Sequence, residues 1–214
     1  MPDEAPVGGR DGWIEMLIAT VLSVAGLMTS WSSYQAALWD GEQAAHYSRA
    51  NALRVLASRA QQQVEAHRAI EAGLFNAWLQ AKAGGEDALA AFYEARFPPD
   101  LKPAFLAWLA KHPLKNPAAP QTPFSTGAYH PAGEEQARKL DAEADATFNT
   151  GQEDNRISDV FTQGTVFLAM ALFFGGIGQV FKIRAVRLGL LLIAIVSCAV
   201  GLATIVALPT LSPG

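Results

Sequence analysis

Residues 185–208 read AVRLGLLLIAIVSCAVGLATIVAL. From Leu190 onward only Ser197, Cys198 and Thr204 interrupt the apolar run, and all three are small. A helix buried in a soluble core keeps a polar face at helical spacing, and this stretch has none. Its length matches the roughly 20 residues a helix needs to cross about 30 Å of hydrocarbon. It therefore reads as a transmembrane helix.

The same criterion finds two more. VFTQGTVFLAMALFFGGIGQVF, residues 160–181, forms with Asp159 a second segment, 159–181. WIEMLIATVLSVAGLMTSW, residues 13–31, is the first, with one charge, Glu15, near its start. The first run competes with a cleaved signal peptide. Its leader sets Asp3, Glu4 and Asp11 against Arg10, the reverse of a positive n-region, and Trp31 to Tyr34 offer no small-x-small cleavage site. An uncleaved anchor is the expectation. Trp13 and Trp31 bracket this run, with Tyr34 and Trp39 just beyond, as amphipathic rings at the headgroup level do.

Charge is distributed accordingly. Half of the 214 residues are hydrophobic and 17% are charged, against about 25% charged in a typical soluble domain. Between Trp39 and Arg156 stand 15 Asp and Glu and 12 Lys and Arg. This mildly acidic middle lacks the basic stripe of a nucleic-acid binder, so no nucleic-acid partner is expected. A single cysteine, Cys198, excludes an intramolecular disulfide and a cysteine-built zinc site.

Lys182, Arg184 and Arg187 fill the short turn 182–187 between the second and third segments. The positive-inside rule makes that turn cytoplasmic and these three residues its anchor. Alternation then places the N-terminus, residues 1–12, inside and residues 32–158 outside.

The outer domain is helical from its start. No proline occurs from Ser32 to Ala83, and Ala, Gln, Glu, Arg and Leu dominate. Leu53, Leu56, Ala60, Val64, His67, Ile70, Leu74 and Trp78 recur at steps of three and four and predict one packed stripe. A long helix over about 32–83 is expected to continue the first membrane helix and to stop at Gly84-Gly85. Short helices follow at about 86–97 and 100–112, then a Pro-rich loop at 113–132. A second long helix, about 133–158, leads into the second membrane segment. Its packed face is Ala137, Leu140, Ala144 and Phe148, with Gly151 the expected kink. The fold class is thus an all-α membrane protein: three transmembrane helices, with a long helical-hairpin ectodomain continuous with the first two.

Motifs for chemistry are sparse. His46 follows Glu42 by four and His67 precedes Glu71 by four, so each pair shares a helix face. The Glu-x-x-His spacing of carboxylate-bridged metal bundles is absent. No metal, cofactor or catalytic residue is assigned, and the protein is expected not to be an enzyme. Gly175, Gly176 and Gly178 lie in an apolar run, where small residues permit close helix packing. The most distinctive part pairs Trp31, Tyr34, Trp39, Asp40 and Glu42 with Asp154, Asn155 and Asp159. A hairpin brings both groups to the outer membrane surface as a polar collar or partner contact.

TSWSSYQAALWDGEQA, an Ala/Arg/Gln-rich helix and TVFLAMALFFGGI together resemble a group of uncharacterised bacterial three-helix inner-membrane proteins with a helical extracytoplasmic domain. The resemblance implies a bacterial inner membrane and carries no activity to any residue. The expected function is a structural or interaction subunit of a membrane assembly. Its partners are the lipid bilayer and either a second copy or another membrane protein. Two alternatives stand beside it: a subunit of an oligomeric channel or transporter, and a ligand- or metal-sensing ectodomain.

Overall fold

A computed structural model describes residues 12–212. The leader, including Arg10, lies outside the described residues. Five α-helices and one short 3-10 turn account for the elements: α1 (Gly12–Ala83), α2 (Asp87–Ala95), α3 (Leu101–Leu109), η1 (Pro123–Ser125), α4 (Glu134–Gly178) and α5 (Arg184–Val206). No strand occurs among the described residues. The all-helical class expected from the sequence holds. Three of these helices, α1, α4 and α5, are long and apolar enough to cross a membrane.

The chain divides into two units, Met1–Ser48 with Thr147–Gly214, and Arg49–Ala146. In the first, α1 and α4 run antiparallel: Ser32 meets Phe161, Ala36 meets Ser158 and His46 meets Asp154. Helix α5 packs antiparallel to α4, with Gly175 near Ala194 and Gly164 near Ile205. The core holds Ala25, Ala36, Ile157, Phe161, Leu168, Ala171, Cys198 and Ile205. Large apolar side chains also point outward on all three helices, among them Met16, Leu27, Phe173, Leu192 and Val196. Such a belt is untenable in water and suits contact with lipid tails.

Packing between α4 and α5 rests on glycine. A Cβ at Gly164 would fall on Ile205 Cγ2, and one at Gly201 would lie 2.9 Å from Leu168 Cγ and 3.1 Å from the Gly164 carbonyl oxygen. Close backbone approach through small residues is how helices associate where lipid removes the hydrophobic drive. Gly175 instead clears Leu22 of α1, from whose Cδ2 a Cβ would lie 2.9 Å, Gly178 meets Leu190 at an ordinary 3.5 Å, and Gly176 faces open space. Hydroxyls in these helices are satisfied locally: Thr20, Thr29, Thr165 and Thr204 each donate to the carbonyl four residues earlier.

In the second unit an aromatic cluster joins the end of α1 to α2, α3 and the loop. Phe75, Trp78, Phe97, Phe105 and Trp108 are buried in it. Trp78 and Phe97 meet Phe105 edge-on at 4.8 and 4.9 Å, the favoured aromatic geometry. Trp108 Nε1 donates to the Pro120 carbonyl at 2.7 Å, fastening the loop. Helix α1 ends where Glu86 N returns to the Ala81 carbonyl, with Gly85 at φ +79° supplying the left-handed residue such an ending requires.

The packed stripe of α1 needs correction. Leu56, His67 and Ile70 are exposed. The buried line is Ala50, Ala57, Val64, Glu71 and Trp78, spaced by seven. On α4, Ala137 and Ala144 are buried seven apart. Alanine lets two helices approach closely at Ala50 and Ala57, and the line widens toward Glu71 and Trp78. The larger Leu56 and Ile70 fall to one side of it.

Candidate functional site

In the first unit a polar seam lies between α1 and α4. Ser32 Oγ donates to the Phe161 carbonyl at 2.8 Å, and Ser158 Oγ donates back to the Ala36 carbonyl at 3.1 Å. Both hydroxyls are buried, so each depends on a partner across the seam. Further along, Gln43 Nε2 donates to Asn155 Oδ1 at 2.8 Å, and Asn155 Nδ2 donates to Asp159 Oδ2 at 2.9 Å. His46 Nδ1 donates to Asp154 Oδ2 at 2.7 Å. The Asp154 side chain is only 8% exposed. A carboxylate so shielded is tenable because the imidazole supplies a short hydrogen bond.

Gly151 explains how α4 comes this close. A Cβ there would sit 2.7 Å from Tyr47 Cδ1 and 3.2 Å from His46 Cβ. Tyr47 stacks on Phe148 at 5.0 Å. Helix α4 is continuous through Gly151, and the missing side chain there gives Tyr47 its clearance.

The structure separates the expected collar into two sets. Asp154, Asn155 and Asp159 join the network with Gln43 and His46. Trp31, half-buried, packs edge-on against Phe161 at 5.7 Å at the margin of the core. Trp39 Nε1 donates to the Pro209 carbonyl at 3.3 Å. Tyr34, Asp40 and Glu42 are exposed and take no part in the seam. Arg156 turns to Glu153 on its own helix at 2.6 Å, which lowers the Glu153 pKa and raises that of Arg156. Gln35 grips the C-terminal segment twice: Nε2 donates to the Leu211 carbonyl at 3.0 Å, and Leu211 N donates to Oε1 at 2.9 Å. Ser158 and the His46 pairing were not foreseen. Their partners lie more than 100 residues away, and only the antiparallel register reveals them.

At the other end of this unit, Lys182 and Arg184 are exposed. Arg187 turns inward, its side chain 16% exposed, and pairs with Glu15 at 3.4 Å. It thus joins α5 to α1, a more specific task than surface anchoring.

The two histidines that share a helix face with a glutamate, His46 with Glu42 and His67 with Glu71, do not bond to it. His46 faces Asp154. In the second unit, His67 is exposed while buried Glu71 accepts a 2.5 Å hydrogen bond from the Tyr129 hydroxyl. Burial, that hydrogen bond and the Glu71 charge together raise the Tyr129 pKa above its ordinary value. Asp100 accepts from Ala132 N at 2.7 Å, so the loop is tied at both ends. Among the described residues, no three His, Cys, Asp or Glu side chains gather as a metal centre needs. Compared with known protein families, characterised proteins and solved structures, the chain finds no match.

Proposed function

We propose that this is a non-enzymatic integral membrane protein, an interaction subunit of a bacterial inner-membrane assembly, whose outer helical domain carries the contact face. The carrying observation is a strip of α1 in the second unit. Ala52, Val55, Leu56, Ala66 and Ile70 share one exposed side of the helix, with Val55 51% and Ile70 62% exposed. Arg59 and Gln63, both exposed, stand on the same side between Leu56 and Ala66, so the strip is two apolar patches joined by a polar step. The strip lies beyond the apolar segment of α1, so lipid tails do not account for it. The seam supports the same reading: its polar groups hydrogen-bond to one another and hold helices together.

The first occupant of the strip is a second copy. One helix, α1, contains both an apolar span and the strip. Every copy therefore carries the same strip at the same distance along the chain from its apolar span, and a two-fold contact pairs identical surfaces. In this reading residues 1–12 and the 182–187 turn are cytoplasmic and residues 32–158 form a long hairpin outside.

Extraction in mild detergent followed by light scattering tests the proposal. A particle larger than one chain is expected, reduced to a monomer by V55E/I70E with helix content unchanged. A monodisperse wild-type monomer with no copurifying protein would overturn it. Liposomes holding the purified protein are expected to pass no ions, and a conductance would favour the channel alternative.

A further inference from the structure

The second unit contains a cleft of about 340 Å³ between the end of α1, α2 and the turn after α3. This is at the lower end of the range for small-molecule sites, roughly 300–1,000 Å³. Its apolar lining is the buried Trp78 and Ala90, with the exposed Leu109 and Leu114 beside them. Charged groups of both signs line it. At one end, Lys82 Nζ donates to Asp87 Oδ1 at 2.6 Å, so these two are satisfied. Glu94 on α2, and His112 and Lys115 on the turn, also line the cleft. Among the described residues, none of those three side chains has a hydrogen bond or an ion pair. The turn that carries His112 and Lys115 is fixed: the His112 carbonyl accepts from Lys115 N and Asn116 N, both at 2.9 Å. His112 sits at φ +49°, a strained backbone for a residue with a side chain, of the kind found at ligand sites.

We propose that this cleft binds a small zwitterion with an apolar body, of the class of a free α-amino acid with an aliphatic or aromatic side chain. The ligand ammonium pairs with Glu94, its carboxylate with Lys115 and His112, and its side chain covers the Trp78–Leu109–Leu114 lining. A simple anion would meet the Glu94 carboxylate, and a simple cation would meet Lys115. A molecule carrying both charges satisfies the whole rim. This site is independent of the strip on α1.

Calorimetric titration of the full chain in detergent with L-phenylalanine and L-leucine tests it. Saturable binding of at least one is expected. Phenylpropionate lacks the ammonium, phenethylamine lacks the carboxylate and glycine lacks the side chain; each should bind at least about tenfold more weakly. E94Q and K115Q should each weaken binding of the amino acid by about tenfold or more while the circular dichroism spectrum is unchanged. A91W, placed on the cleft wall, should abolish binding by filling it. Absence of saturable binding up to 10 mM of either amino acid, on the order of the weakest affinities that matter for small ligands, would overturn the proposal. Equal binding of phenylpropionate, or wild-type affinity in E94Q, would overturn it as well.

Discussion

Two carboxylates are buried among the described residues, Asp154 in the first unit and Glu71 in the second. Each leans on one side chain from a distant part of the chain, His46 and Tyr129. Removing that donor leaves a shielded carboxylate unpaired, which costs about 1–3 kcal/mol or more. H46A should therefore lower the unfolding midpoint in detergent, whereas H46L/D154L, which removes both members, should recover most of the loss. An H46A protein as stable as wild type would show that the contact contributes nothing. Tyr129 gives a signed pH effect. Its folded pKa is raised, so its contribution is fully present below about pH 10, the usual tyrosine value, and is lost as pH rises toward the folded value. Ultraviolet titration should show a tyrosine step above the ordinary tyrosine range. Y129F should remove that step and flatten the alkaline loss of stability.

At the scale of helices, α4 and α5 approach through Gly164 and Gly201. Even a methyl at Gly164 falls on Ile205, so G164A should destabilise the bundle by about 1–3 kcal/mol, the usual cost of overpacking. I205A should relieve the collision in the double variant. G176A, with nothing within 4 Å, is the control and should unfold like wild type. If G164A and G176A melt alike in detergent, the close approach is wrong. These elements also show what could be read from residues alone. The apolar lengths of α1, α4 and α5 were legible because lipid demands a run with no polar face. The stop at Gly84-Gly85 was legible because a left-handed residue favours glycine. The α1 seam was legible in part: Val64 and Trp78 stood on the expected stripe, whereas Ala50 and Ala57 did not, because alanine carries little hydropathy signal. The network of Gln43, His46, Asp154 and Asn155 was half legible. Its residues stood out as polar beside a span, but the pairing depends on a register that no local pattern encodes.

For the whole molecule, the proposed topology rests on direction as well as length. In the first unit α1 and α4 are antiparallel, and so are α4 and α5, which is the alternation that three successive crossings require. The 179–183 connection is too short to do anything but reverse the chain. Ser125 and Lys182 are both exposed and are separated by the one apolar span of α4. They should therefore lie on opposite sides of the bilayer. The single native cysteine, Cys198, is buried and can be replaced by alanine to give a clean background. In intact cells a membrane-impermeant maleimide should then label S125C, and should reach K182C only after the membrane is opened. Labelling of both in intact cells would mean that α4 does not cross. Labelling of K182C alone would keep the crossing and reverse the orientation. The basic turn would then face outward, against the charge bias that normally keeps Lys and Arg in the cytoplasm.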